Sequence, residues 1–164
     1  MPDHPAQVSI DRLRAGDVVH VFNLILQGSD KGHFTPLYLE PRYAAGLGMQ
    51  LFCLLTGWLR LPGGEWLRGR TSVVRIDGLF VGFLILLHRP SHDEIYMTAV
   101  DTALHGYGLG RLLIQDVLHK QPPGRPLRAD CLPASACMQR LLAGLGFERQ
   151  DEDFPGGVQR FWRV

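Results

Sequence analysis

From Glu94 to Leu118 the sequence reads EIYMTAVDTALHGYGLGRLLIQDVL, and this stretch constrains the fold more than any other. Its first part, Glu94–Val100, is rich in the residue types that favour a strand. Three glycines on alternate positions follow, Gly106, Gly108 and Gly110. A helix from about Gly108 to Lys120 comes next, with Gly110, Leu113, Ile114 and Val117 as its apolar stripe. A strand that turns through glycines straight into a helix presents the helix's unpaired N–H groups and the positive end of its dipole. Glycine lets the backbone approach a ligand closely, so the junction suits a phosphate or pyrophosphate.

The spacing of apolar residues orders the rest. VSIDRLRAGD predicts a short strand, with Asp17 as a helix cap. Val18, Val21, Phe22 and Ile25 predict the helix it opens. QGSDKGHFTP reads as loop. A second helix is predicted from about Arg42 to Arg60, ended in LPGGEW by Pro62 and two glycines. TSVVRI and LFVGFLILL form a hairpin through Asp77-Gly78, and Pro90 closes its second strand. Beyond the glycine-rich loop and its helix, QPPGRP is a break and LRADCL a strand. Ser135 caps a last helix with stripe Met138, Leu141, Leu142 and Leu145, stopped at Gly146. FERQDE and VQRFWRV can pair as a final hairpin. The order β-α-α-β-β-β-α-β-α-β-β predicts an α/β fold with a mixed sheet.

Composition removes several classes. The 164 residues suit one domain, 1–164. A net charge of +1 offers no basic surplus for counterion release, so no nucleic-acid partner is expected. Cys53, Cys131 and Cys137 show no paired spacing, which predicts free thiols and a reducing, cytoplasmic setting. The N-terminus, MPDHPAQVS, has neither the basic nor the apolar region of a secretory signal. The longest uncharged stretch, Tyr43–Leu59, is shorter than the roughly 20 residues of a membrane span and contains three glycines. It reads as a buried helix. His88 and His92 flank Pro90, which denies them a common helix face, and no metal is expected.

Three phosphate-binding readings compete for the glycine-rich loop. A Walker loop needs Gly-Lys-Ser/Thr, which is absent. A dinucleotide fingerprint needs glycine at position 111, where Arg111 stands, and a longer sheet than the remaining chain supplies. The third fits the context. AVDTALHGYGLGRLL resembles the pyrophosphate motif of the GNAT N-acetyltransferase superfamily, with His105 where Arg or Gln is usual. LPASACMQRLLAGLGFE resembles the family's second signature through Gly146-Phe147, and VSIDRLRAGD resembles how these domains open.

The resemblance implies a mixed, mostly antiparallel central sheet flanked by about four helices. It implies transfer of an acyl group from acetyl-CoA, the cosubstrate, straight to an amine. The pyrophosphate would sit on His105, Gly106, Tyr107, Gly108, Leu109, Gly110 and Arg111, with Ser135 nearby. His105 either touches a CoA phosphate or faces solvent. The pantetheine would run along a strand that splays from its neighbour, beside Thr98, Ala99 and Val100. A backbone N–H near Thr98 or Ala99 would point at the thioester oxygen. Glu94 is the implied general base, with His92 and Asp93 as alternates. Strand alternation would put Glu94, Tyr96, Thr98 and Val100 on one face. The family's usual tyrosine acid falls at Leu142, so either Tyr96 or Cys137 substitutes or the thiolate leaves unaided.

In this family the first two helices and their loop frame the acceptor, a small-molecule amine or a peptide. His33, Phe34, Tyr38 and Trp58 are candidates to line that site. The second helix is apolar almost all round, which predicts burial on more than one side, an acceptor pocket or a homodimer interface. Two other function classes remain: a non-catalytic acyl-CoA-binding module, and an interaction protein that docks through the apolar helix.

Overall fold

The computed structural model describes residues 6–164. Met1–Pro5, part of the segment read as lacking a secretory signal, lie outside the described residues. The elements are β1 (Val8–Arg12), α1 (Val18–Asp30), α2 (Pro41–Leu54), β2 (Trp58–Arg60), β3 (Trp66–Ile76) and β4 (Leu79–His88). They continue as β5 (Asp93–Val100), α3 (Leu109–Lys120), β6 (Leu127–Cys131), α4 (Ala136–Gly144), β7 (Glu148–Arg149) and β8 (Gln159–Arg163). The strands form one sheet in the order β1-β3-β4-β5-β6-β8-β7, with β2 also on β3. Among the described residues every pairing but β5–β6 is antiparallel.

The period of two in the central strands produces two cores. Phe83, Ile85 and Leu87 of β4 pack with Val21 and Ile25 of α1 and Leu47 and Leu51 of α2. Leu84 and Leu86 of the same strand pack with Leu113, Ile114 and Val117 of α3 and Leu142 of α4. Each such side chain contributes about 1.5–3 kcal/mol by leaving water. Asp77 (φ 50°) and Gly78 (φ 81°) make the β3–β4 turn, where both central residues need positive φ.

The structure departs from the predicted elements at several places. Strand β3 starts early, at Trp66, and FERQDE shortens to Glu148–Arg149. Four others concern α1, α2 and the helix caps. First, α1 continues to Asp30 and absorbs the start of the predicted loop. Second, α2 stops at Leu54 instead of near Arg60. Gly57, at φ 83°, reverses the chain there, and Trp58–Arg60 join β3 as a short strand. Third, α2 is not buried on several sides: Leu47, Leu51 and Leu54 face the core, whereas Met49 and Phe52 stand exposed. Fourth, neither predicted cap bonds its helix. Asp17 occupies the N-cap position of α1, but its carboxylate accepts from the Arg14 N–H (2.7 Å) and from Arg75 (3.0 and 2.7 Å). Ser135 makes no cap bond to α4.

Strand β5 contains a bulge. Leu86 pairs with Ile95 and Ile85 with Met97, which leaves Tyr96 as an extra residue. The expected alternation therefore breaks. Glu94 and Tyr96 face the α1/α2 side, whereas Thr98 and Val100 sit opposite Leu84 and Gly82 on the α3/α4 side.

Candidate functional site

Strands β5 and β6 pair only at Asp93↔Leu127, Glu94↔Arg128 and Ile95↔Ala129. Beyond that point they part, and a cavity of about 720 Å³ fills the gap. Met97–Val100 line one side and Ala129–Leu132 the other.

One end of the cavity reaches His105, Gly106 and Gly108–Arg111 at the start of α3. Gly106 has φ 87° and Gly108, the N-cap residue of α3, has φ 79°. A Cβ added to either would meet no atom within 4 Å. These glycines thus serve the backbone turn and leave space in front of the amides. The His105 ring is not free: Nε2 lies 3.0 Å from the Val100 carbonyl and ties the loop to the end of β5.

The other end lies under the C-terminal turn of α1 and the segment after it. Leu24, Gln27, Lys31, Phe34, Tyr38 and Tyr96 line it. Phe34 lies directly on the α1 backbone, because a Cβ on Gly28 would come within 2.6 Å of its ring. The Tyr38 and Tyr96 phenols are neighbours; burial pushes both up, so both stay protonated through the neutral range. His33 also lines the cavity, with Nδ1 3.3 Å from the Ser135 hydroxyl.

Of the residues predicted to hold the cosubstrate, Thr98, Ala99, Val100, His105, Gly106, Gly108, Leu109, Gly110, Arg111 and Ser135 all line the cavity. Tyr107 does not; it is 76% exposed. On the acceptor side His33, Phe34 and Tyr38 line it, whereas Trp58 sits on β2 beneath the Arg68 guanidinium. Leu24, Gln27 and Lys31 line the cavity without being sequence candidates: Leu24 lies off the apolar stripe of the predicted helix, and Gln27 and Lys31 fall in the segment that reads as loop. Leu142, on α4, is fully buried, so the position of the usual tyrosine acid is core.

The structure does not bring Glu94 to the cavity wall. Glu94 is 6% exposed, and its carboxylate is held by Arg89 and by Arg128, the latter at 2.8 Å. The alternates are likewise engaged. Asp93 is buried, which pushes its carboxyl up, but bonds from His88 (2.9 Å) and Arg125 (2.8 Å) bring it below the ordinary value. Burial, reinforced by Arg128, holds the His92 imidazole below its usual proton affinity, and its ring edge meets Trp162. These residues clamp the paired ends of β4, β5 and β6.

Asp130 is the one carboxylate that lines the cavity among the described residues, and Arg160 holds both its oxygens at 2.8 Å. Burial, followed by the charge of Asp130, pushes the Cys131 thiol up to about 12. No group of three or more metal-ligating side chains is present among the described residues. No described helix is long and apolar enough to cross a membrane.

No family model and no curated protein matches the chain. Solved structures do. An acetyltransferase of the GNAT family from Staphylococcus aureus Mu50 is 12% identical, with a TM-score of 0.71 over 96% of this chain and 98% of that one. A GCN5-related N-acetyltransferase from Kribbella flavida is 19% identical, with a TM-score of 0.67 over 95% and 96%. The PaiA N-acetyltransferase from Thermoplasma acidophilum, in complex with coenzyme A, is 13% identical, with a TM-score of 0.65 over 96% and 98%. At these identities the likeness establishes the fold: the chain has the GNAT fold.

Proposed function

We propose that this chain is an acyl-CoA-dependent N-acyltransferase that moves an acetyl group from acetyl-CoA directly to an amine. The observation that carries the reading is the parting of β5 from β6 beyond Ile95↔Ala129. It opens a cavity that runs from a helix N-terminus to an aromatic end. The fold it shares with N-acetyltransferases, one of them in complex with coenzyme A, supports the same reading.

In this reading the pyrophosphate rests on the amides from Gly106 to Arg111. The pantetheine lies along Thr98–Val100, where β5 has no further partner in β6. A backbone N–H near Thr98 or Ala99 donates to the thioester oxygen as negative charge develops there. One such donor lowers an acyl-transfer barrier by about 2.7–4 kcal/mol. The acceptor amine must lose a proton before it attacks. Glu94, engaged by two guanidinium groups, anchors the strand pair; His33 lines the cavity, has no carboxylate partner among the described residues, and takes the proton. Tyr96, protonated and on the cavity wall, is placed to return a proton to the departing thiolate. Cys131, its thiol held protonated, is a poor relay for the acyl group, which favours direct transfer.

We read residues 1–164 as one domain, since a single sheet carries both cores. Three free cysteines support a cytoplasmic setting. The exposed Met49 and Phe52 on α2 support a homodimer, which light scattering reads directly.

Calorimetry with acetyl-CoA and NADH, followed by transfer assays over an amine panel, tests the function. Binding of acetyl-CoA alone, with acetylated product, is the expected result. Binding without transfer to any amine would leave a CoA-binding module; absence of binding would remove the reading.

A further inference from the structure

This inference rests on the acyltransferase reading. We propose that the acceptor is an amine that carries its own carboxylate and an apolar side chain, an α-amino acid of the leucine, methionine or phenylalanine type, with that carboxylate set on the ammonium of Lys31.

The charge inventory of the cavity leads there. The chain has two lysines. Lys120 is paired with Asp116 at 2.7 Å. Lys31 lines the acceptor end, is exposed, and has no carboxylate within ion-pair distance among the described residues. It is the C-cap residue of α1, where the helix's partial negative charge favours an ammonium without satisfying its donors. No free carboxylate answers it from the cavity wall, because Asp130 is held at both oxygens by Arg160. A polyamine or aminoglycoside would add ammonium groups to an end that already holds an unpaired cation, and like charges there repel. A carboxylate has the opposite sign and gains a charge-assisted contact.

The walls choose the remainder of the molecule. Leu24, Phe34, Tyr38 and Met97 line that end. Phe34 is fixed there by its contact with the bare backbone at Gly28. An apolar side chain leaves water on entering against Leu24, Phe34 and Met97, which favours an apolar substituent there.

The test compares L-phenylalanine and L-methionine with their decarboxylated amines and with spermidine, at saturating acetyl-CoA. The amino acids are expected to lead their amines by about fivefold or more in kcat/KM, as one partly exposed ion pair allows. Lys31→Met is expected to bring that ratio close to one through KM, without weakening acetyl-CoA in calorimetry. Two results overturn the proposal: amines or spermidine that match the acids, or a Lys31→Met protein that loses acetyl-CoA affinity while the ratio stands. The second would assign Lys31 to a cofactor phosphate. Were no amine acetylated, the transferase reading would fail on its own. The subsite would then be read by titrating L-phenylalanine into the CoA complex, where binding lost in Lys31→Met supports it and absent or unaltered binding overturns it.

Discussion

Ile95 and Met97 stand two residues apart in β5 yet lie on opposite faces of the sheet: Ile95 packs with Leu86 beneath α3, Met97 with Ile85 beneath α1. The extra residue between them, Tyr96, carries its phenol to the Tyr38 side of the cavity. The bulge falls where the ladder to β6 ends, so one irregularity re-aims the side chains at the point where the cavity opens.

Glu94 holds the paired side of that junction. Replacing it by Gln leaves Arg89 and Arg128 without their shared charge. We expect Glu94→Gln to lower stability by about 2 kcal/mol, below the range for fully buried pairs because both arginines are partly exposed. Turnover per folded molecule should change little. Urea midpoints and kcat together check this; lost turnover at unchanged stability would return the role of base to Glu94.

His33 is proposed to take the proton instead. His33→Gln is expected to lower kcat by about a hundredfold. Unchanged kcat in the variant would exclude this imidazole as the base.

Gly108 sits at φ 79° in front of α3. Alanine there costs about 1–2 kcal/mol of backbone strain at a residue that lines the cavity, where the added methyl group would meet no protein atom within 4 Å. Gly108→Ala should therefore weaken acetyl-CoA binding in calorimetry beyond its effect on the urea midpoint. Equal affinity in the variant would place the phosphates elsewhere.

Asp17 and Arg75 form a buried pair, with side chains 7% and 5% exposed. Burial alone would raise the Asp17 carboxyl, but the bonds from Arg75 and the Arg14 amide bring it below its reference value of 3.8. The stabilisation is therefore complete above that reference value and is lost as pH falls through the depressed one. Arg75→Met leaves only the Arg14 amide bond and the Arg14 charge to oppose burial. It should cost about 3–5 kcal/mol at neutral pH, and the variant should lose less stability than the parent on acidification. Urea midpoints between neutral and acid pH measure both slopes.

Gly82 lets β4 approach β5. A Cβ there would lie 2.9 Å from the Ala99 carbonyl oxygen and 3.1 Å from the Val100 Cα, both backbone atoms that cannot rotate away. Gly82→Ala is expected to cost about 1–3 kcal/mol and to disturb the cavity wall at Ala99 and Val100. A thermal melt reads the first effect and acetyl-CoA affinity the second.

The sequence by itself determined the features written in short-range periodicity. The β-rich run LFVGFLILL specified a hairpin strand, Asp77-Gly78 its turn, and HGYGLG with the stripe after it the strand–loop–helix junction. Each depends on neighbours a few residues apart, where backbone sterics and side-chain spacing decide. The tertiary structure alone decided which groups meet. Glu94 carries the same carboxylate whether it faces an acceptor or two arginines, and those arginines come from 5 residues before it and 34 after it. The strict alternation expected for β5 failed at Tyr96, because a bulge is imposed by register with β4, which no local pattern in EIYMTAV encodes. Lys31 lay in a segment read as loop, and its place at the cavity follows from the extra turn of α1 and the packing of Phe34 on Gly28. Local chemistry fixes the elements; contacts between distant segments, which cost loop entropy and leave no periodic trace, fix the site.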